Sequence, residues 1–236
     1  MRGQDVLFSS GDGGDGLLLL HHPMTRAVVA LALALCCAPA LAEPAPPGPL
    51  YIQPLGAALP DADVALVKEA LALFYGLDVR VLPRAEHPKD AWYAPRKRWR
   101  ADELLDFLAP RLPAGGYRIL GLTAADISTT KGDVHDWGIL GLATIDGRAC
   151  VVSAFRTGRG VNRQRARQRL AKVAVHEIGH TLGLPHCPTV GCLMEDARGK
   201  VATTDREGDL CELCRAELKR RGRPVQPVAE LPWPQP

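Results

Sequence analysis

Two hydrophobic periods alternate along this chain. Residues 50–55 read as a short strand. In 61–74, Val64, Leu66, Val67, Ala70, Leu71 and Phe74 recur at helical spacing. Asp61 or Asp63 stands where a helix is capped, and Gly76 follows its end. In 77–82, Leu77, Val79 and Val81 alternate with other residues, the period of a strand. Leu104, Leu105, Phe107 and Leu108 give 100–112 the repeat of a second helix, and 117–122 reads as a third strand. Two further strands, 137–143 and 149–154, are joined by a turn through Ile145, Asp146, Gly147 and Arg148. From Arg163 the chain is polar, then apolar at Leu170, Ala174 and Ile178, which predicts one long helix running into buried surroundings. The order strand, helix, strand, helix, strand, strand, strand, helix predicts an α/β fold with one late antiparallel hairpin.

Composition narrows the setting. A length of 236 residues suits one domain, and 47% hydrophobic residues supply a core. Aromatics are only 5%, so that core is aliphatic. A net charge of +3 is too small to argue for a nucleic-acid partner. Residues 1–23 are Gly/Asp-rich and are expected to be an extension upstream of the true start at Met24. Residues 24–42 have the layout of a secretory signal: a basic start, an apolar run over 27–38, and a small-residue cleavage pattern before Glu43. The run is short of the roughly 20 residues that span a membrane. A cleaved signal, a secreted or periplasmic location and no stable membrane anchor are therefore expected. Residues 43–218 are the expected folded domain, and 219–236, basic then Pro-rich, the expected disordered tail.

The densest chemistry runs from His176 to His186. His176 and His180, four apart, project from one helix face and can reach one metal. Glu177 sits beside them, placed to accept a proton from a metal-activated water and return it to a leaving amine. Gly183 permits a sharp turn at φ > 0, Pro185 cannot continue the helix, and His186 returns to the same metal. Three imidazoles leave a fourth coordination position open, the arrangement of a catalytic zinc. Removal of the signal leaves five of the seven cysteines. Cys187 and Cys192, four residues between them, with Cys211 and Cys214, two between them, suit a tetrahedral structural zinc. Export would instead favour two disulfides, so both chemistries stay open at this point.

The eleven-residue histidine pattern is that of the metzincins. The whole of 176–214 resembles the archaemetzincin family of zinc metallopeptidases. Its pattern continues from the histidines to a cysteine, a second cysteine, a methionine and a distal cysteine pair. Cys187, Cys192, Met194, Cys211 and Cys214 fall in that order. The core match covers about 40 residues, and a weaker likeness reaches upstream to about Leu50, through the segment from Thr123 to Asp126. The resemblance implies a metzincin-like fold: a mixed twisted sheet with an antiparallel edge strand, a long active-site helix and a cysteine-rich, zinc-bound C-terminal part. It implies two zinc ions, one catalytic on His176, His180 and His186, one structural on the four cysteines. It also implies that Met194 forms a turn beneath the catalytic metal. The export signal departs from the usual members, and the spacer from Met194 to Cys211 is about one residue short.

Other residues attract weaker expectations. Cys150 reads as a small buried hydrophobe. His87 and His135 read as surface residues, and Asp126, Asp133 and Asp136 as a solvated loop. Asp205, between the cysteine pairs, is a candidate to orient a ligand. Substrates are expected to be peptides or proteins, with a monomeric enzyme and no nucleic acid. The competing readings are a catalytically inactive zinc- and peptide-binding module and a zinc-ribbon nucleic-acid binder built on the cysteines and the basic tail.

Overall fold

The computed structural model describes residues 47–223 together with Val225, Val228 and Trp233. The upstream extension and the signal segment expected within 1–42 lie outside the described residues. Strand β1 (Leu50–Leu55) is buried along its whole length. Its neighbours are β2 (Val79–Val81) and β5 (Arg118–Thr123), both parallel to it. Beyond β5 lies β9 (Ala149–Ser153), again parallel, and β8 (Gly141–Ala143) closes that edge antiparallel. The sheet order is β2-β1-β5-β9-β8. Near-continuous apolar runs in β1, β5 and β9 follow from covering both faces. Leu50, Ile52, Leu120 and Val152 join the larger core with α1 (Asp61–Tyr75) and α4 (Arg163–Thr181). Tyr51, Leu55, Ile119 and Val151 point the other way, into a smaller core with α2 (Ala101–Leu108). The α/β class, the mixed sheet and the antiparallel edge strand are as the sequence predicts.

A second sheet was not legible from the hydrophobic pattern. It has the order β3 (Trp92–Tyr93), β4 (Arg98–Arg100), β6 (Ile127–Lys131) and β7 (Val134–Ile139). The expected single strand over 137–143 is split. Its first residues belong to β7 of the small sheet, Leu140 is a bend, and its last three form β8 of the main sheet. Asp126 and Asp136 are not a solvated loop: their side chains are only 10% exposed and hold arginines at the base of the β6–β7 hairpin. His87 is half-buried, stacked on Trp99 and 2.8 Å from the Thr123 hydroxyl.

Two more helices follow the active segment, α5 (Thr203–Arg206) and α6 (Glu212–Arg220), so Lys219 and Arg220 of the expected tail are helical. Trp233, also within that stretch, is 3% exposed, stacks on Phe74 and donates its indole N–H to the Gly208 carbonyl at 2.9 Å. A single helix of four residues, α3 (Ala154–Thr157), links β9 to α4. Among the described residues no helix is long and apolar enough to cross a membrane.

Candidate metal centres and cleft

Helix α4 is the axis of the site. Asn162 caps it, its side-chain oxygen accepting the Arg165 N–H at 2.9 Å. Its middle is anchored by two buried cations. Arg169, 4% exposed, grips Asp205 through two bonds of 2.7 and 2.8 Å. Asp205 therefore orients the helix through Arg169 and not a cysteine ligand. Lys172 donates to the carbonyls of Thr204 and Glu207. These contacts fix the last turns of α4, where His176 and His180 lie.

The helix ends at Thr181, and Gly183 takes φ 94°. A side chain there would be strained in φ and would collide with the Arg221 guanidinium. The turn carries His186 back, so that ligand atoms of His176, His180 and His186 all lie within 4.8 Å of one another. Two of the rings are held from behind. His176 Nδ1 is 2.6 Å from the Leu193 carbonyl, and His180 Nδ1 is 2.7 Å from the Leu184 carbonyl. A carbonyl only accepts, so each Nδ1 carries the proton and each Nε2 keeps a free lone pair. Burial, with His180 and His186 beside it, pushes His176 down to about 3, and burial lowers His180 as well. Both are neutral imidazoles, the form that ligates a metal.

Glu177 is 6% exposed and faces Gly141, where an added Cβ would come within 2.6 Å of its Oε1. Burial raises its carboxyl to about 8. Gly141 begins the edge strand β8, so a side chain at that position would displace the glutamate. Met194 is fully buried, its sulfur under Gly179 of α4.

Four thiols gather next to this site. Cys187 and Cys211 are 3.6 Å apart at sulfur, Cys192 and Cys214 3.7 Å. Arms of ~2.3 Å from a tetrahedral zinc put sulfurs about 3.8 Å apart. All four are free thiols whose sulfurs lie within 4.8 Å of one another. The Cys214 thiol holds Cys192 well below the ordinary thiol range, and the same contact pushes Cys214 up. Backbone N–H groups of Met194 and Cys211 point at the Cys192 sulfur, at 3.5 and 3.4 Å. Such donors suit a thiolate. Cys187, Cys192 and Cys214 belong to the larger core together with Met194, so this cluster is no detached ribbon. Both donor sets fit the metal their composition implies.

A cleft of about 350 Å³ opens over His176, Glu177 and His186. One wall is the chain from Trp137 to Leu142, the other the segment from Glu195 to Gly199. Every residue predicted to hold a metal falls into one of the two clusters. What the sequence reading missed are the carbonyls of Leu193 and Leu184, Gly141, and the cleft residue Glu207. Backbone acceptors leave no residue-type signal, and the others sit far from the histidines in sequence.

Comparison with known proteins gives a consistent picture. The model of peptidase family M54 matches residues 79–220. An archaemetzincin of Halobacterium salinarum is 32% identical over 153 residues, covering 61% of this chain and 85% of that protein. The crystal structure of archaemetzincin from Archaeoglobus fulgidus, complexed with malonate, superposes with a TM-score of 0.62 at 30% identity, over 72% of this chain and 99% of the other. That from Methanopyrus kandleri gives 0.64 at 28% identity, over 74% and 94%.

Proposed function

The chain belongs to peptidase family M54, the archaemetzincins, and on that premise we propose that it cleaves peptide bonds with one zinc on His176, His180 and His186 and Glu177 as proton carrier. The observation that carries this reading is the pair of imidazoles tied at Nδ1 by the Leu193 and Leu184 carbonyls, both directed with His186 at one point beside Glu177. Zinc held there supplies a Lewis acid and a water of lowered pKa.

The protein's own groups do the rest. Burial alone raises the Glu177 carboxyl to about 8; beside a bound zinc cation its carboxylate would be favoured, free to take a proton and give it back to the leaving nitrogen. Gly141 leaves room for that carboxyl. Strand β8 pairs only with β9 among the described residues, so its other edge is free to align an extended peptide by backbone hydrogen bonds. Cys187, Cys192, Cys211 and Cys214 would hold a second, structural zinc, a cross-link beside the segment that carries Met194 and the Leu193 carbonyl. Export through the segment 24–42 remains part of this proposal.

The deciding experiment is a peptide-library digest with metal analysis on wild type and Glu177→Gln. Zinc-loaded wild type should cleave, lose activity to a chelator and regain it with zinc. Glu177→Gln should keep its zinc and lose about 100-fold or more in kcat. Equal turnover by the variant, or no cleavage by zinc-loaded wild type, would leave the inactive peptide-binding module as the better account.

A further inference from the structure

The wall of the cleft beyond Glu177 holds a cation that the proposed reaction does not use. Arg156 leaves α3 and lies flat across Gly138 of β7; any side chain at Gly138 would collide with its guanidinium. Its Nε donates to Asp126 Oδ1 at 2.6 Å and its Nη2 to Oδ2 at 2.9 Å. Asp126 also accepts from Arg98 Nε at 2.8 Å. Arg98 Nη1 in turn donates to Asp136 at 2.8 Å, and Asp136 accepts from Arg96 Nε at 3.1 Å. Three guanidiniums thus share two carboxylates, and the network keeps a positive charge in excess. Arg156 is the member that lines the cleft, with 16% of its side chain exposed. Its Nη1 has no partner among the described residues.

Two further cations line the same cleft, Lys131 and Arg198. Lys131 sits 5.2 Å over the Trp137 ring, and Gly199 approaches that ring from the opposite wall. Of the acids that line this end of the cleft, Glu195 and Glu207 are engaged or neutral, while Asp196 is exposed and keeps its charge beside Lys131 and Arg198. Glu195 is tied to Arg206 and to the Gly191 N–H, and Asp196 accepts the N–H of Arg198. Glu207 is 2% exposed, and burial raises its carboxyl to about 8, so it keeps its proton at neutral pH. Lys131, Arg198 and the excess charge of the arginine network, set against Asp196 alone, leave the end of the cleft away from Glu177 electropositive, and the two bonds to Asp126 hold Arg156 rigid, so little order is lost there on binding.

We propose that Arg156, with Lys131 and Arg198, forms a subsite for a substrate carboxylate, supplied by an Asp or Glu side chain or by the free C-terminus of a short peptide. The proposal rests on the peptidase reading above and adds a substrate class to it. A guanidinium fixed in its plane, with Nη1 open, gives a directional charge-assisted hydrogen bond that a lysine would not reproduce.

The test uses the full, zinc-loaded protein and matched peptide sets around one cleaved bond. One set exchanges Glu for Gln at each flanking position; the other exchanges a C-terminal acid for its amide. Wild type should prefer the carboxylate-bearing member of one set by about 10- to 100-fold in kcat/KM, mostly through KM, as one such bond implies. Which set responds identifies the source of the carboxylate. Arg156→Gln should bring that ratio towards one, and added salt should shrink it. Because Arg156 is partly buried, Lys131→Glu with Arg198→Glu, both exposed positions, carries the same test without disturbing the Asp126 network. Cleavage of both members at equal kcat/KM by wild type overturns the subsite and leaves the peptidase reading standing. Cleavage of neither member is a failure of the peptidase reading itself.

Discussion

The sulfur of Met194 occupies the space that a side chain on Gly179 would need: a Cβ there would come within 2.5 Å of Sδ. The preceding residue, Leu193, lends its carbonyl to His176 Nδ1 at 2.6 Å. Helix, methionine and ligand orientation are thus one mechanical unit. Gly179→Ala should push Met194 away and move the Leu193 carbonyl with it. The expected cost is about 1–3 kcal/mol of stability from overpacking. Zinc affinity at the histidines should fall by about tenfold or more, because an outer partner of a ligand is displaced. Urea denaturation and competition with a chelating dye measure the two effects. Unchanged affinity in a destabilised variant would show that Met194 supports packing only.

Gly183 carries two separate demands, and they can be pulled apart. Its φ of 94° disfavours any L side chain, and Arg221 crowds the space a Cβ would fill. Gly183→Ala should cost on the order of 1–3 kcal/mol and weaken zinc binding, since His186 depends on the turn. Adding Arg221→Ala relieves the collision and leaves the φ strain. The double variant should therefore recover part, not all, of the lost stability in thermal unfolding. Full recovery would mean the backbone conformation is not strained.

The sulfur spacing of 3.6 and 3.7 Å suits a four-thiolate metal site and gives a testable metal count. Purified protein should hold two zinc ions per chain, and Cys214→Ser should hold one. The loss should lower Tm sharply, because metal binding free energy at a structural site is folding free energy. A reducing agent should leave wild-type Tm unchanged. A drop in Tm on reduction, with one zinc in the native protein, would favour disulfides among these cysteines.

The legible part of this protein was the part written in residue types at fixed spacing. His176, His180, His186 and the four cysteines are ligand-type side chains at metal-binding spacing, and the structure brings each set together. The main sheet was legible because β1, β5 and β9 are buried on both faces and read as apolar runs. The small sheet was not, because β6 and β7 carry Ser128, Thr129, Thr130 and exposed Val134 in place of an apolar stripe. Ion pairs from Arg98 and Arg156 to Asp126 and Asp136 support that hairpin, and charge pairs 28 to 38 residues apart have no sequence period. Helix α6 was hidden for a related reason: only Cys214 and Leu218 are buried, and apart from Leu213 and Ala216 the rest is charged. The cleft shares this limit, since Arg156 and Glu207 matter through where the fold places them.

Glu207 offers a pH signature that the histidines do not share. It is 2% exposed, and burial raises its carboxyl from 4.5 to about 8, opposed by the nearby Lys172. The sign follows from proton counting. Below about pH 4.5 both folded and unfolded chains hold this proton, and the group makes no difference. As pH rises towards 8, the unfolded chain releases the proton while the folded chain keeps it, so stability falls by at most about 1.4 kcal/mol per pH unit from this group. Above the folded pKa the loss levels off. Glu207→Gln removes the titration and keeps a similar shape. Measured by urea denaturation of the zinc-loaded protein between about pH 5 and 8, the variant should gain on wild type as pH rises. A difference between the two proteins that stays constant over this range would mean that Glu207 titrates alike in the folded and unfolded chains, and that water reaches its carboxyl in the folded protein.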